Sequence, residues 1–196
     1  MSLFGKKSDR KPGGALVLYT TKHGATQRYA QRIAEPLDAL VKDAAYGRVE
    51  RAKTYDAIVL GCPVYMGKIK GLDFIADHAK DLADKRLVLF TCGLYDPAQA
   101  DVRKKLEEQV AEKLGDALRY ISVFHLRGSI RWNSLGLAER LLMKALVADM
   151  KKKPEEQRSE TENLMIETEG GSLDFSDESD IASIIHAARF GKEADR

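Results

Sequence analysis

The chain has 196 residues, of which 44% are hydrophobic and 32% charged, and it carries a formal charge of +2. That length suits one large domain with a buried core. No apolar run approaches the roughly 20 residues needed to cross a bilayer. No apolar stretch follows the basic residues of 1–14, so no secretory leader is expected and a cytoplasmic location is. Two cysteines, Cys62 and Cys92, exclude a disulfide scaffold and a four-cysteine zinc site, and the four histidines show no ligand spacing, so no metal centre is expected.

The small net charge hides an asymmetry. Residues 1–13 carry +3, residues 14–153 carry +7, residues 154–180 carry −9 and residues 181–196 carry +1. A nucleic-acid binder would concentrate Lys and Arg on one motif, so no nucleic-acid partner is expected. The acidic stretch is expected to fold over the basic body or to hang off it.

Residues 1–14 read as a polar tail ending in Lys11-Pro12-Gly13-Gly14. Order is expected from Ala15, with 15–190 as one domain that carries a basic helical segment and an acidic insertion at about 127–176. Residues 15–20 form a short apolar run of strand formers, the pattern of a buried parallel strand. A helix is expected from Thr26 to about Leu40, with Tyr29, Ala30, Ile33, Leu37 and Leu40 on one stripe and Pro36 shortening or kinking it. A weak strand is expected near 43–46, then strong strands at 57–61 and 86–91 with a helix at 72–82 between them. Residues 98–114 are amphipathic, with Val102, Leu106, Val110 and Leu114 in register. The last strand is expected at 121–126. A further helix at 135–150 is expected to bury Leu135, Ala138, Leu141, Leu142, Ala145 and Leu146. Residues 151–172 show little periodicity. Asp177 or Ser176 is placed to cap a final helix that buries Ile181, Ile184, Ile185 and Ala188. Strands alternate with helices, which predicts an α/β domain: three layers, doubly wound around a five-stranded parallel sheet.

Ligands of such a sheet bind beyond the carboxyl ends of its strands. The loop after the first strand is Thr20-Thr21-Lys22-His23-Gly24-Ala25-Thr26. A helix N-terminus behind a glycine and two hydroxyl residues suits a phosphate. The loop is neither a Walker A motif nor a dinucleotide fingerprint, and an ordinary turn capped by Thr26 is the alternative. The second loop, Gly61-Cys62-Pro63-Val64-Tyr65-Met66-Gly67-Lys68, and the third, Thr91-Cys92-Gly93-Leu94-Tyr95-Asp96-Pro97, each pair glycine with a tyrosine. Together they suggest a planar aromatic ligand stacked on Tyr65 or Tyr95. The alternative is a pair of half-exposed loop aromatics. A fourth loop, 128–133, is placed to close the site. Cys62 and Cys92 follow adjacent strands, as a redox pair or as two buried thiols, and Trp132 either meets the ligand or caps the core.

The first loop resembles the phosphate loop of flavodoxins: Thr21, Gly24 and Thr26 match its pattern, and His23 stands where many flavodoxins have a threonine. The resemblance implies strand order 2-1-3-4-5 and bound FMN. It implies cofactor contacts from Thr20 to Thr26, from Pro63 to Gly67 and from Cys92 to Tyr95, with the flavin performing the electron transfer. It also implies that a backbone hydrogen bond from the 61–67 segment to the flavin tunes its potential. No side chain is then required as a catalytic nucleophile or base. A receiver domain shares this architecture but needs an acidic residue where Leu60-Gly61-Cys62 stands.

A narrower likeness exists. The Gly-Cys-Pro-Val-Tyr-Met-Gly-Lys segment and the basic stretch after the last strand, with Arg127, Arg131, Arg140 and Lys144, resemble the flavodoxin-type, quinone-dependent protoporphyrinogen oxidases. That resemblance implies a porphyrin substrate, quinone as acceptor and a peripheral membrane contact through residues 131–153. The simpler alternative is a helix that covers the sheet. Carrier flavodoxins are strongly acidic, which steers them to a redox partner protein, so a body of +7 favours an acidic substrate or an anionic surface instead. A domain that binds no FMN and serves as an interaction module is the third possibility.

Overall fold

The computed structural model describes residues 14–177 and 179–191. The expected tail, apart from Gly14, lies outside them. Strand β1 (Ala15–Tyr19) is buried along four of its five residues. Such a strand needs partners on both edges and cover on both faces. It pairs in parallel with β2 (Leu40–Asp43) on one side and β3 (Ala57–Tyr65) on the other. β5 (Arg86–Gly93) and β6 (Ile121–Arg127) continue the sheet in parallel. A short β4 (Lys68–Ile69) folds back on the end of β3. The parallel strands lie in the order β2-β1-β3-β5-β6, the expected 2-1-3-4-5 order once β4 is set aside.

Alternation along the strands sends side chains to two cores. Val17, Val59, Val88, Phe90 and Cys92 face α1 (Ala25–Ala34) and α7 (Ile181–Phe190). Leu18, Leu60, Cys62 and Leu89 face the other layer. That layer holds α3 (Asp73–His78) and α4 (Ala100–Leu114), with the single turn α2 (Val49–Ala52) beside it. Cys62 and Cys92 therefore lie on opposite faces of the sheet, which corrects the redox-pair reading.

Several boundaries differ from the sequence expectation. The first helix stops at Ala34: Glu35 keeps helical backbone and donates to the Gln31 carbonyl, but Pro36 has no amide to continue the ladder, and Asp38 then turns with φ of 46°. Residues 44–46 form a 3₁₀ turn, and the weak strand lies just before them. Strands β3 and β5 run on through Tyr65 and Gly93, so much of the two tyrosine loops is strand. Ile181 is preceded by Asp180 with no side-chain cap, while Asp177 instead accepts from the Ser179 amide.

The largest departure lies after β6. Here β7 (Ser129–Arg131) pairs antiparallel with β8 (Ser172–Asp174), and between them run α5 (Leu137–Lys152) and α6 (Glu160–Glu167). A third core holds this unit together, built on Ile130, Trp132, Leu135, Val147, Met150 and Met165. Helix α5 does not cover the sheet. It buries Val147 and Met150, while Leu137, Leu141, Leu142 and Leu146 are exposed. The acidic stretch folds back onto basic residues through Lys153–Glu162 (2.6 Å), Lys151–Glu169 (2.7 Å) and Arg28–Asp174 (3.0 Å). No helix among the described residues is long and apolar enough to cross a membrane.

Gly61 holds the layers in register. A Cβ there would meet the Phe90 ring and lie 2.9 Å from Thr26 Cγ2. Gly61→Ala is expected to cost about 1–3 kcal/mol by overpacking, read as a lower urea midpoint with an unchanged m-value. A midpoint equal to wild type would show that α1 does not depend on this approach.

Candidate functional site

The carboxyl ends of β1, β3 and β5 converge on one cleft of about 840 Å³. Its first wall is the turn between β1 and α1. Gly24 sits there with φ of 86° and open space where a Cβ would be. Thr21 Oγ1 accepts the Gly24 amide at 3.0 Å and fixes the turn. The first amides of α1 have no intrahelical acceptor and point out of the helix end, which suits an anion. Thr26 is buried against Gly61, inside this wall.

The second wall is the β3–β4 hairpin. Met66 (φ 52°) and Gly67 (φ 72°) both adopt left-handed backbone, as a tight two-residue hairpin turn requires. This turn holds Tyr65 at the cleft edge. Gln109 on α4 braces it, donating to the Gly67 carbonyl at 2.9 Å and accepting the Ile69 amide at 3.0 Å. The third wall is Cys92 to Tyr95 at the end of β5. The close approach of Gly128, whose Cβ would lie 2.7 Å from Cys92 Sγ, brings the start of β7 against it.

All the residues expected at the site line this cleft except Thr20 and Gly24. Gly24 shapes the turn from behind. Thr20 is turned away, its side chain packed on Gly71, because the alternation of β1 carries it to the face of Leu16 and Leu18. Gly128, Ser129 and Ile130 of the fourth loop join the lining, whereas Trp132 is buried in the third core.

Sequence reasoning missed the fourth wall. Leu135, Glu139, Leu142, Met143 and Leu146 from α5 and its approach, and Glu162 and Met165 from α6, extend the cleft beyond the three loops. The signal for Glu139 was present: a glutamate three residues after Gly136 at a helix start is a capping arrangement, and its Oε2 accepts the Gly136 amide at 3.0 Å. The apolar stripe of α5 was visible but assigned to the wrong neighbour.

The charges at the cleft are mutually satisfied. Glu139 Oε1 lies 3.2 Å from Lys22 Nζ and 3.9 Å from His23 Nε2, and it accepts the Tyr65 hydroxyl at 3.2 Å. The Gly136 amide and then Lys22 hold the Glu139 carboxyl below its usual range. At the far end, buried Glu162 accepts from Lys153 at 2.6 Å and from the Ser159 amide at 2.9 Å. Burial pushes the Cys92 thiol up to about 12, opposed by the adjacent Thr26 side chain. A thiol so raised is a packing group and no nucleophile at neutral pH.

The flavodoxin domain model matches residues 16–158, and the chain belongs to that family. Among solved structures, the chain is similar to oxidised flavodoxin 2 from Bacillus cereus: 22% identity over 58% of this chain and 85% of that one, with a TM-score of 0.40. It is also similar to a flavoprotein in complex with FMN from Lactobacillus acidophilus NCFM (16% identity, 58% and 92% coverage, TM-score 0.36). A flavodoxin from the domain Archaea matches at 16% identity over 88% of this chain and 98% of its own, with a TM-score of 0.38. No curated protein matches the chain.

Burial lowers the pKa of His23 below 6.5, with Glu139 opposing, and lowers that of His125, which is hydrogen-bonded to Thr91 at 2.7 Å. A lowered histidine pKa means that the unfolded chain takes the proton first as pH falls. The associated stability is present above the unfolded value and is lost below it. Unfolding free energy is therefore expected to drop between about pH 7 and pH 5, and His125→Gln should flatten that slope. A slope unchanged by the substitution would contradict the burial argument.

Proposed function

We propose that the protein binds FMN in this cleft and transfers electrons through it. The observation that carries this reading is the convergence of the α1 N-terminus with Tyr65 and Tyr95 in one cleft at the switch point of the sheet. The residues fit the group. The amides of Ala25 and Thr26 and the α1 dipole face the position of a phosphate, and the open space at Gly24 lets that phosphate approach the backbone. The rings of Tyr65 and Tyr95 stand on the walls where an isoalloxazine would stack. Bound FMN supplies electron and hydride transfer. The chain's own share is to hold it, orient it and restrict water. The backbone amides of the left-handed turn at Met66-Gly67 would lie beside the ring and would tune its potential by hydrogen bonding.

A second reading, a protoporphyrinogen-oxidase-like enzyme that passes electrons from a porphyrinogen to quinone, is favoured by one observation. The cleft continues under α5 and α6 between Leu94, Met143, Leu146 and Met165, where an apolar small molecule would be accommodated. On this reading the outward Leu137 and Leu141, beside Arg140 and Lys144, make a peripheral membrane contact. Quinone reduction coupled to porphyrinogen oxidation by the purified protein tests it, and turnover with neither leaves the carrier reading alone.

The FMN reading is tested by titration with FMN and with riboflavin, followed by quenching of flavin fluorescence. Thr21→Ala removes the acceptor that fixes the phosphate turn and is expected to weaken FMN about tenfold, with riboflavin almost unaffected. Equal loss for both flavins, or no binding by the wild-type protein, would refute the placement of the phosphate.

A further inference from the structure

Lys22 stands in the turn assigned to the phosphate, and by sequence it is a natural phosphate cation. The structure turns it elsewhere. Its ammonium lies 3.2 Å from Glu139 Oε1 and 5.4 Å above the centroid of the Tyr65 ring. Glu139 in turn is fixed from two sides. Its own helix start takes one oxygen through the Gly136 amide, at 3.0 Å. The other oxygen accepts the Tyr65 hydroxyl at 3.2 Å and faces His23 Nε2 at 3.9 Å. One carboxylate thus joins three segments distant in sequence: the β1–α1 turn, the β3–β4 hairpin and the first turn of α5.

The first half of α5 has few other anchors: Leu135 is buried just before it, Met143 packs on the third core, and Arg140 donates to the Asn133 carbonyl at 3.0 Å. The residues that α5 buries, Val147 and Met150, both lie in its second half, while Leu137 is 78% exposed and Leu141 61% exposed. None of these contacts reaches the opposite walls of the cleft, and Glu139 is what links the first turn of α5 to Lys22 and Tyr65 there. We propose that Glu139 is a positioning residue that straps α5 across the flavin cleft, and that Lys22 serves this strap and not the flavin phosphate. The inference rests on the FMN reading for its ligand. Its chemistry is otherwise independent: a carboxylate beside Lys22 is the wrong sign for a phosphate partner, so Lys22 as a phosphate ligand and Lys22 as a strap ligand predict opposite effects.

The test uses full-length wild-type protein, Glu139→Gln, Lys22→Met and the double variant, with dissociation rates and affinities measured for FMN and for riboflavin. Glutamine at position 139 keeps an acceptor for the helix cap, so α5 itself is retained. Each single variant is expected to speed release of both flavins about three- to tenfold. The FMN-to-riboflavin affinity ratio should stay within about twofold of wild type, and the double variant should release flavin no faster than the worse single one. Loss of FMN affinity alone in Lys22→Met would make Lys22 a phosphate ligand and overturn the proposal. Tighter FMN binding by Glu139→Gln would make the carboxylate a competitor of the phosphate and overturn it equally. If wild-type protein binds neither flavin, the FMN reading fails and the strap is judged by hydrogen exchange. Amides of 138–143 should then exchange faster in Glu139→Gln while those of 147–152 do not change, and unchanged exchange at 138–143 would refute the strap.

Discussion

The structure depends on the close approach of α1 to the centre of the sheet. Only a residue without a Cβ at position 61 lets Thr26 and the Phe90 ring meet over β3. That contact sets the height of α1, and with it the position of the turn from Thr21 to Thr26. The N-terminus of α1 then opens at the level where β3 and β5 end, so the helix amides face the same space as Tyr65 and Gly93. The open helix end and the aromatic walls are a consequence of layer packing before any ligand is considered. In a parallel sheet all carboxyl ends lie on one side, and the reversal of strand order beside β1 leaves a crevice there.

The unit after β6 changes what that crevice can do. It is pinned to α1 and to the end of β6 by polar contacts. Arg28 of α1 donates to Ser129 at 2.7 Å and to Asp174 at 3.0 Å, across both strands of the small antiparallel pair. The Tyr29 hydroxyl donates to the Arg127 carbonyl at 2.8 Å and accepts the Asp177 amide at 3.1 Å, closing the two ends of the unit against α1. The Arg127 guanidinium lies 3.5 Å over the Phe175 ring and donates to Thr161 at 2.9 Å. These bonds explain why a strongly acidic segment folds onto the body. They also put α5 and α6 over the cleft, so that a ligand between Tyr65 and Tyr95 meets protein on a side that three loops alone would leave to solvent.

Much of the sheet was legible in the sequence because parallel strands are buried on both faces and read as unbroken apolar runs, as 15–19, 57–60 and 87–90 do. The three loops were legible by their joint placement after parallel strands; taken singly, each also read as an ordinary turn or a half-exposed aromatic. The internal architecture of the insertion after β6 was not legible. Its strands are three residues each, too short to show alternation. Its helix α6 is amphipathic over only eight residues. The stripe on α5 looked like a core face, yet the helix turns Val147 and Met150 inward and leaves its leucines at the rim. Periodicity finds an apolar face but does not say which element covers it. Lys22 shows the same limit for charge: a cation in a phosphate turn is readable, but its partner 117 positions away in Glu139 is not.

The central claim is that the shared edge of β1, β3 and β5 is a flavin site. The visible absorption spectrum of the purified protein, recorded before and after addition of FMN and desalting, tests it most directly. The account predicts that the two flavin bands stay with the protein fraction at about one flavin per chain. A protein fraction that emerges colourless after loading would contradict it, and the cleft would then be the site of some other ligand.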